Sequence, residues 1–529
     1  MSFWSVGRTL FERRFRPLVF ALYGILALWS GGLNAETLLT GPGTLNSEGE
    51  HYKLMNDITA DGPIFTITAN NVVLDLDGHT IAYSSSYGVE ITASNVEVSN
   101  GKIVQSGTAA LAHGIAVSGG SGGHNLHHLA IQVNGDRCRG ISALFSDNIE
   151  IHHVYVEDFG ETTDIAYAPD CIYVEARNYG GIRIYDNVVV QGHRGLNLNY
   201  IGLYNETPTQ SNVYNNLIQP VRTPGTKWPV GISLAKARNT DAYNNQIVSD
   251  DARGIVCDGL GQGVDRGTDY CIISGNRIDV EYITPAGEGE YVENNVFGLY
   301  DRYSSGDNTF ADNIVMVDNG TAGATAAVRI GSDAPDSLMV GLVVEDNVLI
   351  AREGSAFLWG VVEEVSVINN KYIADIFSEN NWDANQHNIN IGDEISVSGN
   401  MEIVLESYTP AIPTGLYLTK FFDSYLLKWD DNLDKGESQT YEYIVYRDGQ
   451  RLPISPRGGT FYVDVDVGGT HTYSISSLTL SGVESPISSE VSTTSAVNGW
   501  WDEEEPSRSS DGGGGGGSGG CFISALIQK

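Results

Sequence analysis

A short strand-like stretch that runs into asparagine returns along most of this chain. "IYDNVVV", "VYNNLI", "AYNNQI", "ISGNRI", "FADNIVM", "VEDNVLI", "VINNKYI" and "VSGNMEI" place Asn187, Asn216, Asn245, Asn276, Asn313, Asn347, Asn370 and Asn400 in one series, 23 to 37 residues apart. Related stretches precede them, from "NNVVLDLDGHTI" at Asn70–Ile81 through "SNVEVSNGKI" and "HNLHHLAI" to "DNIEIHHVYV". The apolar residues alternate with polar ones, the period of a strand, and no helix-period segment lies between them. A unit of two or three five-residue strands cannot bury its own apolar face. Successive units must therefore stack as turns of a coil. Asparagine suits a corner of that coil, because it tolerates left-handed backbone and its amide can bond to the next asparagine along the stack. Longer gaps mark loops near 157–170, 199–212, 219–230, 259–270 and 279–297.

A second column opens another strand in many turns: "HGIAVS", "RGISAL", "DCIYVE", "RGLNLN", "VGISLA", "RGIVCD" and "FGLYDR". Aligned on glycine, with Cys171 once in its place, these stretches put His113, Arg139, Asp170, Arg194, Val230, Arg253 and Phe297 at one position. Strand alternation sends the first and third residues after the glycine inward, and these are aliphatic. The second and fourth then face out: Tyr173, Glu175, Asn197, Asn199, Ser233, Asp258, Tyr300 and Arg302 among them. His193 and Lys236 stand beside this polar strip. It reads either as a binding groove or as a solvated face whose charges pair between turns.

The strand–Asn–strand rhythm over about 45–405 resembles the right-handed parallel β-helix proteins. Pectate lyases, polygalacturonases, alginate lyases, mannuronan epimerases, phage tailspikes and non-catalytic surface proteins share that fold, so the resemblance implies architecture rather than activity. A uronate-containing polysaccharide is the partner such a strip would suit. Arginine forks grip carboxylates, and tyrosine faces cover sugar rings. Arg139, Tyr173, Asn197, Asn199 and Lys236 are the candidate substrate-binding residues. In lyase or epimerase chemistry Arg194 or Arg253 would neutralise the uronate, with calcium the cofactor that Asp170, Glu175 or Asp258 could hold; His193, Lys236 or the second arginine would be the base. In hydrolase chemistry two of Asp170, Glu175 and Asp258 would serve as acid and base. Polygalacturonase-like "NTD" at Asn239–Asp241 and "DD" at Asp250–Asp251 match loosely. The lyase-like "RTPGTK" at Arg222–Lys227 has lysine where the family pattern has arginine. The epimerase D-P-H motif is absent, and no subfamily is secured.

Near Thr409 the composition changes to strands spaced eight to twelve residues apart, the rhythm of a β-sandwich. Trp429, "YIVYRDG", Tyr473 and "ESPIS" make 410–495 resemble a fibronectin type III domain, which usually serves as a spacer or binding module. The expected fold is thus all-β: a right-handed parallel β-helix solenoid over 36–408, followed by a fibronectin type III-like β-sandwich over 409–496. An acidic, glycine-rich linker follows over 497–520. The last residues, "CFISALIQK", resemble the CFI-box tail of exported bacterial proteins, which implies envelope attachment through Cys521. At the other end, Arg8, Arg13, Arg14 and Arg16 precede a short apolar run and "GGLNA", which reads as a signal peptide cut after Ala35. The expected location is secreted or cell-surface. Cysteine usage fits export: Cys138 with Cys171 and Cys257 with Cys271 are candidate disulfides, or else free buried thiols. Thirty Lys and Arg against 66 Asp and Glu give a net charge of −36, which disfavours nucleic acid and anionic membranes as partners. The leading function is recognition of an acidic polysaccharide, with cleavage by a lyase or hydrolase route open. The rival is a non-catalytic adhesin or matrix protein.

Overall fold

The middle turns of the coil contribute three short strands each, the first two merging into one nine-residue strand at Glu97–Gln105, Asn125–Val133 and Glu150–Asp158, and the strands pair in parallel with their counterparts one turn before and one turn after. The computed structural model describes residues 36–499, apart from 120–121, 161–169, 221–228, 251, 260–267, 282–295, 303–305, 319–324, 332–338, 360–361, 381–394, 406, 433–439, 455–457 and 466. One middle turn runs Ser211–Tyr214, Leu217–Pro220 and Val230–Ala235, and the next runs Thr240–Tyr243, Gln246–Asp250 and Arg253–Asp258. The first strands pair Ser211 with Thr240, the second Leu217 with Gln246 and the third Val230 with Arg253. Three parallel sheets result, here called the pre-Asn, post-Asn and Gly-series sheets. Their inward residues fill one continuous aliphatic core from Leu45 to Val367. The chain is a parallel β-helix. The signal-like segment, "RTPGTK" and Cys521 lie outside the described residues.

The asparagine column is a buried ladder. The side-chain amide of Asn187 donates to the Asn216 carbonyl oxygen at 2.9 Å, and the pattern repeats through Asn245, Asn276, Asn313, Asn347 and Asn370 to Asn400 at 2.8–2.9 Å. The left-handed backbone belongs to the residue before each rung. Asp186, Asn215, Asn244, Asp312, Asp346 and Asn369 have φ of 55–57°, with Gly275 and Gly399 completing the corner. The glycine column has a different cause. A Cβ on Gly254 would stand 2.3 Å from the Gly298 carbonyl and 2.4 Å from Ile278 Cγ2, and neighbouring glycines of the column meet the same two obstacles. Strand and core side chain approach too closely for any side chain there. Where Cys171 replaces glycine, Gly192 leaves room for its sulfur.

Of the two alternatives for the cysteines, candidate disulfides or free buried thiols, the structure has the second. Cys138, Cys171, Cys257 and Cys271 are free and buried. Three of the thiols are engaged with backbone carbonyls instead: Cys138 Sγ with Ala109 O at 3.2 Å, Cys171 Sγ with Val190 O at 3.6 Å and Cys271 Sγ with Ala237 O at 3.6 Å. Cys257 takes an inward place among the aliphatic residues of the core. Equivalent places in successive turns thus serve packing rather than cross-linking.

Beyond the coil, the strands Tyr417–Phe421, Ser424–Lys428, Phe461–Asp464 and Val497–Asn498 form one sheet. Thr440–Arg447, Gln450–Arg451, Thr472–Thr479 and Val491–Ser492 form a second. Leu418, Leu427 and Trp429 pack with Tyr443, Val445, Tyr473 and Ile475 between them. This unit lies against the outer side of the post-Asn sheet. Phe421 stacks on Tyr155 at 4.3 Å and 5°, and Val188, Val190, Leu217, Val248, Phe461 and Val463 complete the contact. Gln219 behaves as an extra peptide group toward the edge strand, accepting from Val463 N and donating to Val463 O, both at 3.1 Å. Gln246 accepts from Thr460 N at 2.8 Å, Ser424 donates to Glu157 at 2.7 Å and Arg277 reaches Asp431 at 3.1 Å.

Candidate functional site

The register of the Gly-series sheet assembles the polar strip from separate turns. Arg139 lies opposite Asp170, Asp170 opposite Arg194, Arg194 opposite Val230 and Val230 opposite Arg253. The next outward column runs Ser142, Tyr173, Asn197, Ser233, Val256, Tyr300 and Arg329. A third holds Glu175, Asn199, Ala235, Asp258 and Arg302.

Each carboxylate in this set is committed to a cation. Asp170, only 1% exposed, sits between Arg139 Nε at 3.3 Å and Arg194 Nη1 at 3.4 Å, and also accepts from Asn197 at 3.2 Å. Glu175 is ion-paired with Arg177 and accepts from the Tyr173 hydroxyl at 3.2 Å. Asp258 meets Arg302 at 2.6 Å. Among the described residues no three His, Cys, Asp or Glu side chains gather so as to hold a metal ion. Asn199 donates weakly to Tyr173 at 3.4 Å.

Among the described residues of this face the cations outnumber the carboxylates. Arg139, Arg177, Arg194, Arg253, Arg302, Arg329 and Lys236 share this face with Asp170, Glu175 and Asp258. Several lie on rings: Arg139 over Tyr173 at 3.8 Å, Lys236 over Tyr200 at 5.0 Å, and Arg253 over Tyr300 at 5.1 Å. Arg329 lies over Phe297 at 4.9 Å. Tyr173 is therefore covered by a guanidinium rather than presented to a sugar ring. Burial pushes its hydroxyl up to about 12. Arg139, Arg194 and Arg302 remain partly open, with side-chain exposures of 22–29%. Arg253 is buried, and burial beside Arg302 and Arg329 pushes it down to about 9. His193 is also buried, and burial next to Arg194 pushes it down to about 3, so its place is beneath the strip.

Arg177 and Arg329 are members that the glycine alignment overlooks. Arg177 follows the end of its strand, and Arg329 sits in "TAAVRI", where alanine stands in the glycine column. The "NTD" stretch is structural: Asn239 is a left-handed corner that donates to Pro208 O, and Asp241 accepts from the Ile272 amide.

The coil, its asparagine ladder and its charged outer strip define a parallel β-helix protein. No family profile matches the chain, and no curated protein matches it. Among solved structures, the mannuronan C-5 epimerase A-module of Azotobacter vinelandii is 12% identical, covering 68% of this chain and 87% of that one with a TM-score of 0.34. An alginate lyase from Paenibacillus sp. strain FPU-7 is 13% identical, covering 61% and 90% with a TM-score of 0.27. A tailspike protein of E. coli bacteriophage HK620, in complex with a pentasaccharide, is 11% identical, covering 85% and 86% with a TM-score of 0.31. At such scores the likeness assigns no function.

Proposed function

We propose that this is an exported surface protein whose β-helix holds an acidic, uronate-containing polysaccharide along the Gly-series face. The carrying observation is the excess of guanidinium groups over carboxylates on that face, in a chain of net charge −36. Arg139 and Arg194 each spend one edge on Asp170, which fixes their planes and leaves further N–H donors for a ligand carboxylate. Recognition accounts for the geometry better than hydrolysis does. Asp170, Glu175 and Asp258 are held by arginines, and His193 is buried, so an acid–base pair is not presented. The docked sandwich, read as a fibronectin type III-like module, stiffens the coil from behind. The amino-terminal segment would direct export, and Cys521 would attach the tail to the envelope.

Elimination is the second reading, with Arg253, which burial amid other cations pushes down to about 9, as its base. The test is titration of the purified chain with polygalacturonate, alginate and a neutral glucan, with and without calcium, following binding heat, absorbance from a new C=C bond and reducing ends. Binding restricted to the uronate polymers, weakened tenfold or more by Arg194→Ala, is the expected result. Absorbance lost in Arg253→Lys would convert the reading to a lyase. Equal binding of the neutral glucan, or indifference to Arg194→Ala, would overturn it.

A further inference from the structure

The pre-Asn sheet carries a block of four imidazoles that takes no part in the strip. Asn125–Val133 and Glu150–Asp158 run parallel with His127 opposite His152, so "LHHL" and "IHHV" stack directly. His127 lies on His152 at 4.9 Å and 0°, and His128 on His153 at 4.9 Å and 1°. Consecutive strand residues normally point to opposite faces. Here the second histidine of each pair is left-handed, with φ of 53° and 52°, and its ring swings back beside the first. His127 Nδ1 therefore stands 2.8 Å from His128 Nδ1, and His152 Nδ1 stands 3.0 Å from His153 Nδ1.

Two nitrogens so close must share one proton or one metal ion. With metal–nitrogen bonds of about 2.0–2.1 Å, nitrogens this far apart subtend roughly 90° at the ion, the angle between adjacent ligands in a square or octahedral shell; tetrahedral zinc would need them wider. The outer neighbours suit a ligand role. Glu97 lies 3.4 Å from His127 Nε2 and fixes the proton there, which leaves Nδ1 the lone pair. Tyr185 stacks on His152 at 4.8 Å and holds the far side of the block. Asp186, 7% exposed, lies near His153 on the same corner.

We infer that the His127–His128 pair of this block is a two-ligand divalent transition-metal site of tetragonal preference, taking copper(II) or nickel(II), with the ion chelated by His127 Nδ1 and His128 Nδ1 and water completing its shell. The inference is independent of the polysaccharide reading. It is tested by titrating the full chain with copper(II) in a weakly chelating buffer, using electron paramagnetic resonance and competition with a chromogenic chelator. One equivalent with hyperfine coupling to two nitrogens is expected. His127→Phe keeps a stacked ring, and His128→Asn keeps a residue that tolerates the left-handed corner; each should weaken binding tenfold or more with the circular dichroism spectrum unchanged. His79→Gln, on a separate turn, should leave it unaltered. Binding unaffected in both block variants, or a spectrum without nitrogen coupling, would overturn the inference.

Discussion

Asn245→Ala is the sharpest test of what holds the coil together. Asn245 is fully buried, and its side chain makes four hydrogen bonds. Its carbonyl oxygen accepts from Asn216 N at 3.1 Å and Asn216 Nδ2 at 2.8 Å. Its amide donates to Val213 O at 2.9 Å and to Asn276 Oδ1 at 2.9 Å. Truncation leaves two donors of Asn216 without partners, whereas Asn276 Oδ1 keeps the Asn245 backbone N–H at 3.0 Å and the Val213 carbonyl keeps its place in the parallel ladder opposite Ala242. Each orphaned buried group costs about 1–3 kcal/mol, so even the low end of that range gives roughly 2 kcal/mol. The neighbouring Asn244→Ala removes no rung and only places a Cβ residue without a helpful amide in a left-handed corner, at about 1 kcal/mol. Guanidinium unfolding followed by far-ultraviolet circular dichroism would measure both, and amide exchange of the flanking strands would show whether the loss is local. A loss below about 1 kcal/mol at Asn245, or a larger one at Asn244, would refute the view that the ladder is a stability element.

Three further outcomes follow from packing and charge. Phe421→Ala should cost about 3–5 kcal/mol through loss of the buried stack on Tyr155 and expose the 409–416 segment to protease, while the sandwich keeps its own core; an unchanged cleavage rate would mean that the docking is weak. Gly254→Ala should cost about 1–3 kcal/mol by thermal unfolding, because its Cβ meets backbone as well as Ile278, whereas Gly43→Ala, with nothing within 4 Å, should be near neutral. His113 and His124 are pushed down to about 4 and His193 to about 3, in each case chiefly by burial. The unfolded chain therefore binds more protons below about pH 6.5, and stability should fall as pH drops from there toward 4. Proton uptake on unfolding at pH 5, read from buffer-dependent calorimetry, checks it, and uptake near zero would contradict it.

The coil was legible because two of its constraints recur once per turn and each admits few residue types. A buried ladder needs an amide that both donates and accepts, hence Asn187 through Asn400. A strand pressed against core side chains needs glycine, hence the second column. The left-handed corner was placed one residue late, since Asp186, Asn215 and Asn244 share the asparagine chemistry of the rungs beside them. The docking face was present in the sequence but easily passed over. "VVV" at 188–190 is apolar on both sides because Val189 faces the core while Val188 and Val190 face the sandwich. A continuous apolar run in a parallel strand signals cover on both faces. The strip's columns could be read from alternation, but its pairings could not: whether Asp170 takes one arginine or two depends on rotamers reached across three turns. Cysteine spacing left both alternatives open for a similar reason, since a shared place in the repeat says nothing about where the sulfur points.

The polysaccharide reading carries a consequence in salt that a simple charge argument misses. A polyanion approaching this chain meets two fields of opposite sign. At long range it meets the net −36, and at contact the cation-rich strip of Arg139, Arg194, Arg302 and their neighbours. Screening sorts them by distance, with a Debye length of about 30 Å at 0.01 M, about 8 Å at 0.15 M and about 3 Å at 1 M. At the lowest salt the whole acidic surface repels the ligand. Near 0.15 M that repulsion is largely gone while contacts a few ångströms long survive. At 1 M the strip itself is screened, although charge-assisted hydrogen bonds keep part of their strength. Affinity for a uronate oligomer should therefore pass through a maximum at intermediate salt, unlike the steady decline of a basic protein on a polyanion. Arg194→Ala should lower that maximum without moving the low-salt arm, because the repulsion comes from elsewhere on the molecule. A steady fall from the lowest salt upward would mean that the ligand never senses the acidic surface, and affinity indifferent to salt would remove the strip's cations from the binding altogether.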